Sequence, residues 1–256
     1  MQAEDYAYLY ALEEDFWWFA GMREITAALL DPLFLPARDR LILDAGCGTG
    51  GMLAWLARYA GNGTIVGIDL VHTALEFCRK RENRFLAQAS VTDLPFADSV
   101  FDLVTSFDVL VQLPGADADL RALREMFRVL RPGGIAFVRA AAYAWMRSGH
   151  DEALGTQRRY SLSELVAKME RAGLRVVRAT YANSLLLPLA AVRRLALKRV
   201  GLADRGSDVK PLPPQLQWLN RALAATLRCE ARRLKHPGSR LRAGLSAICL
   251  AEKPRA

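Results

Sequence analysis

The chain has 256 residues with 35 Lys and Arg against 27 Asp and Glu, a formal net charge of +8. A chain of this length buries roughly 75% of the surface its unfolded form exposes, so one substantial core is sustainable. Cys47, Cys78, Cys229 and Cys249 form no Cys-x-x-Cys, and His72, His150 and His236 do not cluster with them, which excludes a zinc-type site and a disulfide scaffold, so no metal is expected.

The acidic start Met1-Gln2-Ala3-Glu4-Asp5 lacks a basic region followed by an apolar run, and a cytoplasmic protein is the expectation. Leu185 to Val192 is uncharged and apolar but far short of the ~20 residues a spanning helix needs. Positive charge is concentrated late. Residues 183–256 carry 15 Lys and Arg against 4 Asp and Glu, whereas residues 1–182 carry 20 against 23. Two readings of this basic third stay open: a face for phosphate-bearing substrate, anionic membrane or nucleic acid, or a solvated helix surface.

Residues 6–30 predict a helix bearing the aromatic patch Phe16-Trp17-Trp18-Phe19, broken by Asp31-Pro32 through Pro36. Strands and helices then alternate: strand 41–43, helix 52–59, strand 64–68, helix 72–81, strand 85–88, strand 101–105, helix 117–130 and strand 135–140. Arg131-Pro132-Gly133-Gly134 is read as the stop before that fifth strand. Such alternation gives an α/β fold, a parallel sheet with helices on both faces. Ser161-Leu162-Ser163-Glu164 is a capping box opening a further helix, Gly173 closes it, and 174–181 predicts strand six. Helical stretches at 184–200 and 215–235, then a strand at 245–252, predict a helical insertion between strands six and seven. The resulting division is an N-terminal helical cap (1–36), a core (37–182), an insertion or lid (183–240) and a final core strand (241–256). Along 215–235, Leu216, Leu219, Leu223, Leu227 and Leu234 share one face and Arg221, Arg228, Arg232 and Lys235 nearly the opposite one.

The chemistry concentrates at the first strand-to-helix turn, Asp44-Ala45-Gly46-Cys47-Gly48-Thr49-Gly50. Glycines let backbone approach a ligand, and a helix N-terminus offers unpaired N–H groups to a carboxylate. Asp69, 25 positions after Asp44, ends the second strand, where it suits ribose hydroxyls.

Leu41 and Asp44 to Gly50, then Gly67-Ile68-Asp69, Leu94-Pro95-Phe96, Phe101-Asp102-Leu103-Val104 and Leu130 to Gly134 resemble, in order and spacing, the successive motifs of class I S-adenosylmethionine-dependent methyltransferases. The resemblance covers about residues 40–142 and is closest to bacterial small-molecule enzymes. It implies a Rossmann-like seven-stranded sheet, mostly parallel with an antiparallel last strand, and S-adenosylmethionine as cofactor. Asp44, Ala45, Gly46, Cys47 and Gly48 then hold the methionine part, Asp69 and Leu70 the ribose, and Ser90-Val91 the adenine, with Ser106 and Phe107 at the fourth strand's end. Ser90 departs from the family's usual Asp, and Gln112 stands where many relatives carry His. The glycines do not follow the Gly-x-Gly-x-x-Gly spacing of a dehydrogenase.

Residues 145–160 resemble a segment of some bacterial methyltransferases of unassigned substrate. His150 beside Asp151 is the candidate general base. Arg158 and Arg159, with Tyr160, are candidates to grip an anionic acceptor, and Tyr160 joins the catalytic set. The alternative is that His150, Asp151 and Arg158 only fix the loop. The aromatic patch either packs or closes over the cofactor, with Arg23 meeting its carboxylate. Cys47 reads as packing rather than as a nucleophile.

The expected reaction is methyl transfer to an oxygen or nitrogen of a small acceptor, a hydroxylated metabolite or a sugar on a lipid or nucleotide phosphate. No nucleic-acid partner is expected: Ser106-Phe107-Asp108-Val109 is not an Asn/Asp-Pro-Pro-Tyr/Phe motif for flipped bases. Peripheral membrane contact through the basic insertion stays open, as does a non-catalytic scaffold.

Overall fold

The computed structural model describes residues 3–149, 151, 155–199 and 213–255. It opens with two helices, α1 (Ala3–Leu12) and α2 (Trp17–Phe34), where periodicity predicts one. Phe16 turns to extended backbone, φ −69° and ψ 132°, ahead of α2. Pro32 does not end the second helix, which runs through it to Phe34. Its ring lies in the last turn, where the missing N–H removes one bond only, and Leu35 N still donates to Asp31 O at 3.0 Å.

Alternation follows: β1 (Leu41–Ala45), α3 (Gly51–Ala60), β2 (Thr64–Asp69), α4 (His72–Lys80), β3 (Leu86–Gln88), β4 (Phe101–Phe107), α5 (Ala118–Val129) and β5 (Leu130–Ala141). β5 starts at Leu130, ahead of Arg131-Pro132-Gly133-Gly134, so that stretch is an irregularity within the strand and not a stop before it. Next come α6 (Leu162–Arg171), β6 (Arg175–Ala182), α7 (Leu187–Arg199), α8 (Gln217–Leu234) and β7 (Ser246–Glu252). The capping box forms: Ser161 Oγ accepts from Glu164 N at 3.2 Å, and Ser161 N donates to the Glu164 carboxylate at 2.7 Å.

The seven strands make one sheet in the order β3-β2-β1-β4-β5-β7-β6. β3 through β5 pair in parallel, and β7 slots antiparallel between β5 and β6. Ile42, Leu43, Leu103, Val104, Phe137 and Val138 on the central strands are fully buried, as continuous apolar runs in a two-sided sheet require. Strand order reverses between β1 and β4, and the carboxyl ends of strands flanking such a reversal open a crevice for ligands.

The helices between β6 and β7 are anchored from within. Glu230 of α8 is buried, and its carboxylate accepts the N–H groups of Asn183, Ser184 and Leu185 at 2.7, 2.7 and 2.8 Å. Leu227 and Leu234 are fully buried, while Arg221, Arg228, Arg232 and Lys235 face solvent. α8 also lies against α2: Trp17 N donates to Asn220 Oδ1 at 2.8 Å, and Asn220 Nδ2 donates to Asp15 O at 3.0 Å. None of the described helices is long and apolar enough to cross a membrane.

Gly21 is where α2 meets Leu227, and a Cβ there would overlap that side chain. A Gly to Ala change in a helix ordinarily stabilises by about 0.5–1 kcal/mol. At this crossing the expectation reverses. Urea unfolding of Gly21→Ala should show a loss of about 1–3 kcal/mol, and an unchanged or raised midpoint would mean that α8 does not seat there.

Candidate functional site

A cavity of about 320 Å³ sits over the carboxyl ends of five adjacent strands, a size typical of small-molecule sites. Its floor is built by Ser90 and Val91 after β3, Asp69 and Leu70 at β2, Asp44, Gly46, Cys47 and Gly48 at β1, Phe107 and Asp108 at β4, and Arg139 at β5. Tyr6 and Glu13 close it from the α1 side, and Trp18, Met22 and Arg23 from α2. Of the residues singled out in the sequence, Arg23, Asp44, Gly46, Cys47, Gly48, Asp69, Leu70, Ser90, Val91 and Phe107 all line this one cavity. Ala45 and Ser106 are buried and do not line it.

The turn is tight where it must be. Gly46 has φ 89°, and a Cβ there would run into the Val109 methyls. Gly48 has φ 54° with only a Leu9 methyl at 3.8 Å, so its backbone stands open to a ligand. The N–H groups are another matter. Gly46 N and Cys47 N both donate to Ile68 O, at 2.9 and 2.8 Å. Gly48 N donates to Asp69 Oδ2 at 3.0 Å and Gly51 N to Glu13 Oε2 at 3.0 Å. The expectation of free N–H groups awaiting a carboxylate is therefore corrected at these positions: the Ile68 carbonyl takes those of Gly46 and Cys47, and the Asp69 and Glu13 carboxylates take those of Gly48 and Gly51.

Glu13 carries no motif in the sequence. It is buried, also accepts from Thr49 Oγ1 at 2.6 Å, and lies 3.3 Å from Arg81 Nη2. Burial pushes its carboxyl above the usual range, against the Thr49 hydrogen bond and the Arg81 charge. Arg23 spends its Nη1 and Nη2 on the Glu13 and Glu14 carbonyls, each at 2.6 Å.

Asp44 is 1% exposed and accepts from Thr105 Oγ1 at 2.7 Å. Burial pushes its carboxyl up to about 7, the Thr105 hydrogen bond opposing. Asp69 is raised by burial too, against backbone N–H donors that include Val71 N at 2.9 Å. Ser90 Oγ lies 2.8 Å from Thr92 Oγ1 and accepts Thr92 N at 3.2 Å, so it is engaged in its own turn. Cys47 Sγ lies 3.8 Å from Cys78 Sγ. That contact and burial raise the Cys47 thiol far from thiolate formation, as a packing residue requires.

The 145–160 segment behaves differently from its sequence reading. His150 lies outside the described residues. Asp151 is buried and held by Arg159 through Nε at 2.7 Å and Nη2 at 3.1 Å, while Ser148 N donates to it at 2.8 Å. Burial acts to raise the Asp151 carboxyl, but Arg159 wins and holds it below the usual range. Tyr160 is buried and donates its OH to Asp119 Oδ2 at 2.7 Å, which Arg158 Nη1 and Lys168 Nζ also reach, at 3.0 and 2.9 Å. None of Asp151, Arg158, Arg159 and Tyr160 lines the cavity. Asp151 and Arg159 form an ion pair within the segment, and Tyr160 and the partly exposed Arg158 tie it to Asp119 of α5, the loop-fixing arrangement that the sequence left open as the alternative.

Two residues at the other end of the cavity were missed. Arg139 is 5% exposed, its Nε donates to Asp108 Oδ2 at 2.7 Å, and its guanidinium lies 4.7 Å from the Trp18 ring and 5.0 Å from that of Phe107. Asp108 has φ 59°, uncommon outside glycine. A charged residue in an otherwise apolar strand 135–140 was the available signal.

A methyltransferase-domain family model matches residues 43–138. Among curated relatives, methyltransferase GfsG of Streptomyces halstedii is 39% identical over 122 residues, covering 45% of this chain and 42% of the relative. The fatty-acid O-methyltransferase of Mycolicibacterium smegmatis is 40% identical over 96 residues, covering 36% of this chain and 34% of the relative. The chain thus spans well under half the length of these relatives. A solved methyltransferase in complex with the Haloferax volcanii Trm112 activator shares the fold, with TM-score 0.62 and 18% identity over 99% of this chain and 95% of that one.

Asp44 makes stability pH-dependent with a defined sign. Between about pH 4 and 7 the folded chain keeps a proton that the unfolded chain releases, so this group lowers stability as pH rises through that window. Asp44→Asn should therefore gain stability relative to the parent between pH 5 and 8, by about 1.4 kcal/mol per pH unit up to about pH 7 and no further above it. Urea unfolding of both proteins at the two pH values checks this, and a constant difference would show that Asp44 ionises normally.

Proposed function

We propose that this chain is a class I S-adenosylmethionine-dependent methyltransferase, a reading that the methyltransferase-domain match and the relatives support, and that it moves the cofactor's methyl group to an oxygen or nitrogen of a small-molecule acceptor. The observation that carries this reading is the convergence of Asp44, the Gly46–Gly48 backbone, Asp69 and Val91 on one cavity whose far end, at β4 and β5, is left over for a second molecule.

The residues present fit the cofactor. The Asp69 carboxylate accepts backbone N–H groups of Gly48, Val71 and Leu70, which leaves lone-pair capacity on its two oxygens for a ribose hydroxyl. Asp44, half-ionised near neutrality because it is buried, is set to ionise when a cationic methionine end arrives. Gly48 offers bare backbone, and the remaining Arg23 N–H groups suit the carboxylate. Leu70, Val91 and the ring of Tyr6 supply apolar walls for the adenosine. The bound cofactor supplies a methyl group activated by its sulfonium. The chain supplies alignment and water exclusion, with α1 and α2 as the roof. Asp151, Arg158, Arg159 and Tyr160 have no part in this proposal. The fatty-acid O-methyltransferase among the relatives supports an oxygen acceptor. α8 braces α2, so it would act on the acceptor side indirectly, through that roof.

Calorimetric titration with S-adenosylmethionine and S-adenosylhomocysteine tests the reading. Both should bind, and Asp69→Ala should weaken each by about 10- to 100-fold, the loss expected for hydrogen bonds to a charged group. Absence of binding by a folded protein would sink the proposal and leave a scaffold that keeps the fold alone.

A further inference from the structure

Resting on that reading, we propose that Arg139 anchors a terminal oxyanion of the acceptor, a carboxylate or a phosphate, at the β4–β5 end of the cavity. Arg139 sits on β5 in register with Phe107 of β4, and both line the cavity. Its side chain is 6% exposed, and its hydrogen bonding to the described residues is a single contact, Nε to Asp108 Oδ2. Among the described residues neither Nη group meets a protein acceptor, and neither is a sealed, orphaned donor. They open on the cavity. A guanidinium withdrawn from water with most of its donors unfilled is unfavourable unless a ligand or water completes it.

The mounting is rigid. Trp18 and Phe107 flank the guanidinium at 4.7 and 5.0 Å, and Asp108 N returns a hydrogen bond to Arg139 O at 2.9 Å, which fixes Asp108 in its left-handed conformation. With Nε tied to Asp108, the two Nη groups form the fork that matches the paired oxygens of a carboxylate or phosphate.

Ser90 follows β3, and Asp69 and Asp44 lie on β2 and β1, whereas Arg139 lies two strands beyond β1 in the sheet order, near enough for its charge to act on the Asp44 carboxyl and lower it against the effect of burial. Arg23, by contrast, is bonded to Glu13, which itself sits on the cofactor turn. Trp18 and Phe107 stand beside the guanidinium, and Phe19, Met22 and Leu113 add apolar lining to the same cavity, with Gln112 as a polar neighbour in that lining. The acceptor that fits is a small molecule with an apolar body and one anionic end.

The test titrates the S-adenosylhomocysteine-saturated protein with hexanoate, hexyl phosphate and hexanol. The expected result is that at least one anion binds about tenfold or more tighter than hexanol, and that Arg139→Met removes about 10- to 100-fold of that affinity while S-adenosylhomocysteine binds as before. Whichever anion binds tighter identifies the source of the oxyanion. Equal binding of anions and alcohol overturns the proposal. A parallel loss of S-adenosylhomocysteine affinity in Arg139→Met overturns it as well, because Arg139 would then serve the cofactor. Should the variant fail to fold, the comparison on the unmutated protein decides alone. If S-adenosylhomocysteine does not bind the unmutated protein, the family reading fails first, and the same titrations without it show whether the anion site survives.

Discussion

The carboxylate of Glu13 holds the N-terminal helices to the turn on which the site is built. It takes Thr49 Oγ1 at 2.6 Å and Gly51 N at 3.0 Å, and Arg81 stands beside it. A carboxylate at a helix N-terminus meets both unpaired N–H groups and the positive end of the helix dipole. Here that position is filled by the protein, which shuts α1 over the cavity and leaves Arg23 to hold the α1–α2 junction through the Glu13 and Glu14 carbonyls. Arg81 extends the tie, donating to Tyr10 O at 2.6 Å and to Thr49 O at 3.2 Å. Roof and floor are therefore tied together through Glu13 and Arg81.

Periodicity and turn chemistry made the central fold legible. The alternation of apolar runs with amphipathic segments placed β1 to β5, and the Ser161–Glu164 capping box formed as read. The antiparallel return of β7 between β5 and β6 followed from a strand-like end and the resemblance together. What local pattern missed was set by tertiary contact. The break between α1 and α2 falls at the acidic run Glu13-Glu14-Asp15, where the Glu13 carboxylate accepts from Thr49, 36 positions later in the chain. Pro32 marked a helix end in sequence terms and was absorbed in the last turn.

The site was legible where motifs carry backbone requirements and illegible where roles depend on partners. Asp44, Gly46, Gly48 and Asp69 converge as a turn at a strand's end must bring them. Asp151 with Arg159, and Tyr160 with Asp119, have the residue types of a catalytic set and are instead mutually satisfied interior groups. Nothing in residue identity separates the two cases. An arginine that closes on a buried aspartate and one that waits for a ligand read alike until their partners are known.

Satisfaction of hydrogen-bonding capacity is the criterion that sorts them. Asp119 and Asp151 are buried among cations that hold their carboxyls below the usual range, and neither touches the cavity. Asp44 and Asp69 are raised by burial and face it. The direction of the shift is not enough by itself, since Glu230 is also raised by burial yet serves structure, its oxygens taken by three backbone N–H groups of the segment after β6. What distinguishes the working groups is capacity left open toward a cavity: lone pairs on Asp69, Nη donors on Arg139. Such groups lower the stability of the empty fold, and the filled networks at Asp119, Asp151 and Glu230 help the surrounding structure hold them in place.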